Sequence, residues 1–272
     1  MKNLKNLLKI REDVRKNKPL IHAITNPIAI NMVANAILFQ GGKAICAQHP
    51  DEMEDIVKIS NSLSVNLGNI SSERMKAIKV AVKIANESKI PTIIDLVGIG
   101  ASRLRLDFAQ GLLSKYKFDI IKGNSSEILA LVGKSSAKGV DVGECDEIRG
   151  ENIKDFVKIS SNLSKKYKTS VLMTGKTDIL VRDREYFLVE NGCENLSKIT
   201  ATGCMLTGLI STFLSYGDSI SASLLGLLIL EISAELCEED RLYTFFVNLM
   251  DNIGTLNNET IKKYAKIKRG VL

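Results

Sequence analysis

An α/β fold with a central, mainly parallel sheet is predicted by two features of the sequence. Short runs rich in β-branched residues alternate with segments of helical period, which is the pattern of βαβ units with helices on both faces of a sheet. The chain has 272 residues, of which 45% are hydrophobic and 25% charged, so it can bury a large core. No internal repeat or low-complexity linker divides it, and we predict a single domain over residues 1–272.

The individual elements follow from local period and composition. Strands are predicted at residues 43–47, 64–68, 92–96, 119–122 and 170–174, with a hairpin at 179–182 and 186–190 around charged Asp183 and Arg184. Helices are predicted at residues 31–39, 51–59, 72–87, 103–113, 125–132 and 153–167. From Gly203 onward the pattern is helical almost to the C-terminus, and residues 133–150, with alternating charge, read as a surface loop.

Charge and cysteine content argue against several classes of protein. Lys and Arg total 37 against 31 for Asp and Glu, and the surplus is spread along the chain without an RNA-type aromatic motif. We therefore expect no nucleic-acid partner. The five cysteines are widely separated and the chain has two histidines, which supports neither a disulfide framework nor a zinc site. A cytoplasmic location fits this composition.

Two segments share features with targeting or membrane sequences. The basic N-terminus has leucines at helical spacing, but Glu12 and Asp13 favour a surface helix over a targeting peptide. Residues 220–230 form an apolar segment of about half the ~20 residues that a membrane span needs, and Glu231 follows it directly. This segment is predicted to be a buried core helix, and no membrane association is expected.

Polar residues cluster where predicted strands end. Asn66 and Gly68, Asp95 and Gly98, residues 122–124, and residues 174–176 each follow a β-branched run. Because ligands bind outside the carboxyl ends of the strands in open α/β sheets, these points should meet at one cleft. Two G-K-[S/T] sequences, at residues 133–135 and 175–177, lack the earlier glycine of a P-loop, and residues 98–103 lack the third glycine of a dinucleotide fingerprint.

Residues 199–205, with the sequence ITATGCM, combine a turn of small residues with the start of an amphipathic helix. Such a turn presents unpaired backbone N–H groups at a helix N-terminus, which suits an anion. The alternative is a plain capped helix in which Thr202 is the N-cap and Cys204 a small core residue. Local sequence does not decide between these interpretations.

Asn124 and Glu127 open the helix that follows the strand at 119–122. Their spacing is that of an ordinary capping box. Alternatively, Glu127 faces the cleft and holds a magnesium ion through water, with Asp95 as a second oxygen ligand. An ionised carboxylate at Asp95, which follows an apolar strand, must be paired, metal-bound or exposed.

Near the N-terminus, residues 19–26 run from an apolar strand into Thr25 and Asn26. His22 could be catalytic, although a single histidine in an apolar strand is more often a satisfied core residue. Asn26 either caps the next helix or binds a polar group of a substrate.

Taken in order, the segments PLIHAITN, VNLGNIS, IPTIIDLVGIGAS, IIKGNSSEILAL, VLMTGKTDIL and KITATGCMLTGLI resemble successive signature blocks of the hydroxyethylthiazole kinase family. That family belongs to the ribokinase-like kinases and phosphorylates 4-methyl-5-(2-hydroxyethyl)thiazole in thiamine salvage. The resemblance implies a three-layer α/β/α ribokinase-like fold and ATP-dependent transfer to an alcohol, with Mg²⁺ as cofactor. It also implies a homotrimer with thiazole pockets at the subunit interfaces.

The resemblance also implies roles for individual residues. Asn26, Cys46, Gly68 and Ala201 would line the thiazole pocket, Lys122, Asn124 and Thr174 would meet ATP, and Asp95 and Glu127 would manage magnesium. Ala201, Thr202, Gly203 and Cys204 would form the anion hole. Cys204, at a helix N-terminus, is expected to have a lowered thiol pKa and to accept or orient the proton of the hydroxyl.

Several positions depart from the family pattern. Leu96 replaces a proline, Lys122 an arginine, Cys46 a methionine and Ala201 a glycine, and residues 240–247 stand where the family has a glycine-rich stretch. Two alternatives therefore stay open. One is a related kinase of another small alcohol, such as a pyrimidine methanol, and the other is a catalytically weak ligand-binding trimer.

Overall fold

A nine-stranded sheet runs through the chain in this computed structural model, which describes residues 4–134, 147–148, 150–237 and 241–272. The strands are β1 Leu20–Ile24, β2 Lys43–Ile45, β3 Ser62–Asn66, β4 Thr92–Asp95, β5 Ile120–Asn124, β6 Ser170–Thr174, β7 Asp178–Arg182, β8 Glu185–Val189 and β9 Ile267–Val271. The helices are α1 Leu4–Asn17, α2 Ile30–Phe39, α3 Met53–Ile59, α4 Ser72–Glu87, α5 Arg103–Lys115, α6 Ser125–Leu131, α7 Ile153–Tyr167, α8 Thr202–Leu214, α9 Ser219–Glu235, α10 Leu242–Thr255 and α11 Asn258–Tyr264. Short 3₁₀ helices cover Pro50–Glu52 and Glu194–Lys198.

The strand order is β2-β1-β3-β4-β5-β6-β7-β8-β9. All pairings from β2 to β6 are parallel, and all pairings from β6 to β9 are antiparallel. The sheet is thus mainly parallel, with the predicted hairpin formed by β7 and β8. Parallel strands joined by helices bring their carboxyl ends to one edge.

Two hydrophobic cores lie on opposite faces of this sheet. Consecutive side chains of a strand point to opposite faces, and in β4 the side chain of Ile94 packs with helices α3 to α7 while Ile93 packs with α1, α8, α9 and α10. The same division separates Ile121 from Ile120 in β5. Helices therefore cover both faces of the sheet.

Strand register places three polar residues side by side at the carboxyl edge. Asn66 of β3 pairs with Asp95 of β4, and Asp95 pairs with Lys122 of β5. Residues at one level of neighbouring strands project to the same face, which here is the face covered by α8. Register alone thus assembles a row of an amide, a carboxylate and an ammonium group.

The structure departs from the predicted elements in two places, and a third prediction falls mostly outside the described residues. Strand β9 lies in a region expected to be helical, and it pairs with β8 by its backbone although its side chains are partly exposed. The helix predicted at 51–59 begins as a 3₁₀ turn with Pro50 at its start. The predicted loop at 133–150 falls largely outside the described residues. Among the described helices, none has the length and apolar character needed to span a bilayer.

Candidate active site

Asp95 is the centre of a buried polar cluster at the end of β4. Its Oδ2 atom accepts hydrogen bonds from Asn66 Nδ2 at 3.0 Å, Lys122 Nζ at 3.1 Å and Thr207 Oγ1 at 2.7 Å. Its Oδ1 atom is buried and has no hydrogen-bond partner among the described residues. One oxygen is therefore saturated by protein donors, while the other is buried without a hydrogen-bond donor among the described residues.

Lys122 carries a buried positive charge directly beneath the first turn of α8. Burial alone lowers the pKa of Lys122, but the negative charges of Asp95 and Glu127 outweigh that effect and leave the pKa raised. A methyl group added at Gly203 would lie 3.4 Å from Lys122 Nζ. The side chain is thus a permanent cation that lies between Asp95 and the start of α8.

Glu127 forms the capping box predicted for α6. Its Oε2 atom accepts from the N–H of Asn124 at 2.8 Å, and the N–H of Glu127 donates to Asn124 Oδ1 at 2.8 Å. Its Oε1 atom accepts from the N–H of Gly98 at 2.8 Å. Burial and then the nearby charge of Asp95 raise the pKa of Glu127 to about 7. Each oxygen keeps a second lone pair, so the cap does not prevent a contact with a water or a cation.

Helix α8 begins without a side-chain cap. Ala201 is its N-cap residue, with φ 66° and ψ 8°, and no side chain accepts a hydrogen bond from the first turn. The hydroxyl of Thr202 instead donates back to the carbonyl oxygens of Leu196 at 3.0 Å and Ile199 at 3.4 Å. The alternative in which Thr202 is the N-cap is therefore wrong. Helix geometry leaves the N–H groups of residues 202–204 without intrahelical acceptors, which is the arrangement that binds anions.

The thiol of Cys204 is hydrogen-bonded to two amides. Asn26 Nδ2 and Asn66 Nδ2 each lie 3.3 Å from Cys204 Sγ. Burial, followed by the negative charge of Asp95, raises the pKa of the thiol to about 11. The expectation of a lowered pKa is wrong, because desolvation and a neighbouring carboxylate exceed the effect of the helix N-terminus.

Asn26 and Gly68 lie against the same cluster. Asn66 Oδ1 accepts from the N–H of Gly68 at 2.9 Å and from Asn26 Nδ2 at 3.3 Å. A methyl group at Gly68 would lie 2.9 Å from Asn66 Oδ1, so only glycine fits without a shift. Cys46 and Ala201, both partly buried, pack in one apolar group with Cys204. We use the term acceptor pocket for the residues predicted to bind the substrate, which are Asn26, Cys46, Gly68, Ala201 and Cys204.

His22 and Thr174 lie apart from that centre. His22 is fully buried and its Nε2 atom bonds the carbonyl oxygen of Ala47 at 2.9 Å, while burial lowers its pKa. His22 is thus a core residue, as one interpretation expected, but it is only half satisfied, because its Nδ1 atom is buried without a hydrogen-bond partner among the described residues. Thr174 ends β6 beside Asn124 of β5, and its hydroxyl donates to the carbonyl oxygen of Gly123 at 3.4 Å. The two candidate nucleotide residues are thus neighbours on adjacent strands.

Asn66 and Thr207 were missed by the site prediction. Asn66 occupies the strand-end position that Asp95 and Lys122 occupy on the next strands, a signal that the sequence carried. Thr207 lies one helical turn after Cys204 on α8, and this spacing brings its hydroxyl to Asp95. Only the contact between α8 and the sheet reveals its part in the cluster.

The profile of the hydroxyethylthiazole kinase family matches residues 11–259. A hydroxyethylthiazole kinase 2 from Clostridium botulinum is 45% identical over 262 residues, covering 96% of this chain and 99% of that protein. This chain belongs to the hydroxyethylthiazole kinase family.

Solved structures agree with that family at the level of the fold. A hydroxyethylthiazole kinase protein from Pyrococcus horikoshii superposes with a TM-score of 0.88 at 30% identity, covering 98% of this chain and 99% of that one. A ribokinase-like superfamily protein from Enterococcus faecalis has a TM-score of 0.62 at 13% identity, with 94% of each chain covered, and shows the fold alone. The predicted family and the three-layer ribokinase-like fold are confirmed.

Two residues that depart from the family pattern, Leu96 and Ala201, can be examined in the structure. Leu96 is fully buried after Asp95, and its N–H donates to the carbonyl oxygen of Lys122 at 2.8 Å, a bond that proline could not make. Ala201 adopts a left-handed conformation that costs about 1–2 kcal/mol in a residue other than glycine. The first substitution is thus accommodated by the backbone, while the second stores strain at the start of α8.

Proposed function

We propose that this chain is an ATP-dependent hydroxyethylthiazole kinase, which transfers the γ-phosphate of ATP to the hydroxyl of 4-methyl-5-(2-hydroxyethyl)thiazole. One observation carries the proposal. Lys122 and the uncapped first turn of α8 present positive charge beside the thiol of Cys204 and the acceptor pocket. The relatives of this chain that are hydroxyethylthiazole kinases identify the acceptor alcohol.

Phosphoryl transfer needs donors on the oxygens of the moving group and an aligned hydroxyl, with little covalent work by the protein. The N–H groups of residues 202–204 and the Lys122 ammonium form a fixed set of donors for those oxygens. Their preorganisation in a buried site makes them more effective than donors in water. Binding of the transferred phosphoryl group is the role that we assign to Ala201, Thr202, Gly203 and Cys204.

Asp95 and Glu127 fit a magnesium ion. Asp95 Oδ1 is a buried carboxylate oxygen without a hydrogen-bond donor among the described residues, and Glu127 lies close enough for the charge of Asp95 to raise the pKa of Glu127. Hard oxygen atoms are the ligands that Mg²⁺ prefers, commonly one or two carboxylates with several waters. When bound, the ion would neutralise charge on the phosphates of ATP. Asp95 would hold the ion from the end of β4, and Glu127 would hold it from the first turn of α6.

Cys204 orients the acceptor hydroxyl and does not act as its base. With a pKa of about 11 the thiol is neutral at physiological pH. Its sulfur, held by the amides of Asn26 and Asn66, offers a fixed contact to the substrate hydroxyl. Alignment of the hydroxyl with the phosphate contributes more to the rate than proton transfer to the thiol.

The nucleotide lies along the ends of β5 and β6 in this proposal. Lys122, Asn124 and Thr174 occupy these strand ends, at the edge where open α/β sheets bind ligands.

A homotrimer completes the acceptor pocket in this proposal. Ile28, beside Asn26, is 61% exposed and Cys46 is only partly covered in one chain, which leaves apolar surface for a neighbouring subunit. The described cysteines are free thiols, and together with the use of ATP they favour the cytoplasm.

A coupled ADP-release assay over a small panel of alcohols tests this proposal. The thiazole alcohol should give a kcat/KM at least ~10-fold above that of a pyrimidine methanol. Asp95→Ala and Glu127→Ala should each lower turnover at least ~10-fold, whereas Asp107→Ala on the exposed side of α5 should not. Unchanged turnover in both site variants would refute the magnesium assignment.

Two further outcomes separate the alternatives. Preference for the pyrimidine alcohol would reassign the acceptor. Thiazole binding by calorimetry without ADP release would indicate a binding protein. Light scattering on the purified chain measures the mass of the assembly, and a monomer of 29.9 kDa would contradict the trimer.

A further inference from the structure

Two buried carboxyl groups face each other away from the cluster around Asp95. Asp178 begins β7 and Glu231 lies on α9, which packs against that strand, and the side chains are 4% and 5% exposed. The two groups are hydrogen-bonded to each other. Glu231 Oε2 has no partner among the described residues, so its other oxygen makes this bond.

A hydrogen bond between two carboxyl groups requires a proton, because two carboxylates have acceptors only. Burial and the charge of Asp178 raise the pKa of Glu231 well above its usual range, which places the shared proton on Glu231. Asp178 is the acceptor in this bond, and Lys122 contributes a favourable positive charge to it. Glu231 is thus a neutral acid that holds an ionised partner.

Asp178 in turn holds the connection between β6 and β7. Its Oδ1 atom accepts from the N–H of Gly175 at 3.1 Å and closes the turn formed by residues 175–178. This turn follows Thr174 without an intervening residue, and a methyl group at Gly175 would lie 2.7 Å from Ile148 Cδ1. A change in the position of Asp178 therefore moves the backbone beside the proposed nucleotide site.

We propose that Glu231 is a positioning residue for nucleotide binding, which acts through its shared proton with Asp178 to hold the turn after Thr174. The inference rests on the proposed function, since the turn has this role only if Thr174 meets ATP. Loss of the shared proton leaves two buried carboxylates that repel each other. Asp178 then withdraws from the N–H of Gly175, and the turn loosens.

The charged groups around the pair come from two elements. Lys122 on β5 favours ionised Asp178, and Glu235, one turn further along α9, disfavours ionised Glu231. Glu235 is itself engaged elsewhere, by the N–H of Gly192 at 3.0 Å and by Lys266 Nζ at 2.9 Å. Glu235→Gln is therefore a control that removes a carboxylate from the same helix and leaves the pair in place.

Calorimetric titration with Mg-ADP at a series of rising pH values tests the inference. The unmodified chain should bind Mg-ADP about fivefold more weakly once Glu231 has lost its proton, a change of about 1 kcal/mol. Glu231→Gln keeps a donor and cannot ionise, so it should lack this weakening and show only the pH dependence that Glu127 contributes. Glu231→Leu should bind weakly throughout and raise KM for ATP, with KM for the thiazole alcohol unchanged.

Glu127, with a pKa of about 7, also changes its charge in this titration, so the difference between the unmodified chain and Glu231→Gln is the decisive quantity. Glu235→Gln should retain the pH dependence with its midpoint moved to lower pH. Equal pH dependence in the unmodified chain and Glu231→Gln, or normal Mg-ADP affinity in Glu231→Leu, would overturn the inference.

Thermal unfolding gives a separate readout of the proton. The folded chain keeps a proton that the unfolded chain releases above the ordinary carboxyl pKa, so stability should fall as pH rises from about 5. Glu231→Gln should reduce this fall, and an unchanged slope would contradict the shared proton. Absence of Mg-ADP binding at every pH would instead refute the proposed nucleotide site and the positioning role with it.

Discussion

The ammonium nitrogen of Lys122 lies 3.1 Å from Asp95 Oδ2, and both side chains are buried where β4 and β5 end. Removing one partner of such a pair leaves an uncompensated charge and costs about 3–5 kcal/mol. Lys122→Met should therefore lower the free energy of unfolding by about 3 kcal/mol and kcat/KM by at least ~10-fold. Denaturant titration and the ADP-release assay measure the two effects.

A double variant separates stability from catalysis at this pair. Asp95→Asn combined with Lys122→Met removes both charges, so most of the lost stability should return while activity stays low. Lys117→Met, at an exposed lysine on the opposite edge of the sheet, should change neither quantity. Recovery of activity in the double variant would show that neither charge serves phosphoryl transfer.

Asn66 connects the carboxylate of Asp95 with the thiol of Cys204. Its Nδ2 atom donates to both, at 3.0 Å and 3.3 Å. Asn66→Asp would remove this donor and add a third negative charge beside Asp95 and Glu127, so kcat should fall about 100-fold or more. In Asn66→Ala, kcat should fall by a smaller factor. Similar rates for the two variants would contradict an electrostatic role for the amide.

Ala201 stores backbone strain at the start of α8. A left-handed residue other than glycine costs about 1–2 kcal/mol, and glycine loses about 0.4–1 kcal/mol through the unfolded state. Ala201→Gly should thus stabilise the chain by about 0.5–1 kcal/mol and raise kcat/KM by opening the approach to the anion hole. Denaturant titration and steady-state kinetics provide the measurements.

Lys168→Gly is the matched control for this change. Lys168 has φ 52° at the end of α7, next to the amino end of β6 and so at the opposite edge of the sheet from the site, and it should show a similar gain in stability with no effect on kcat/KM. Loss of stability in Ala201→Gly, with a gain in Lys168→Gly, would indicate that the methyl group of Ala201 makes a needed packing contact.

The thiol of Cys204 should remain protonated through the working pH range. Its pKa of about 11 lies above the ordinary value, so the folded chain holds this proton until the pH approaches 11. We expect no rise in kcat between pH 7 and 9 that is lost in Cys204→Ser, and we expect Cys204→Ser to keep part of the activity. A rising limb in the pH profile that disappears in the serine variant would show a thiolate base.

Local sequence determined much of the fold. The helices predicted at residues 72–87 and 153–167 have those bounds in the structure, and the hairpin and most parallel strands lie close to their predicted positions. Periodicity and caps act over one or two turns of chain, so they can be read without knowing the fold. Strand β9 was missed because it depends on pairing with β8, a contact between distant segments.

The sequence by itself determined the family, the α/β architecture and the set of polar residues at the strand ends. Only the tertiary structure decided how these residues act on each other. Asn66 and Thr207 join the cluster through strand register and the packing of α8, and Cys204 has a raised pKa because the fold buries it beside Asp95. Burial and charge depend on distances between segments far apart in the chain, and local pattern does not contain those distances.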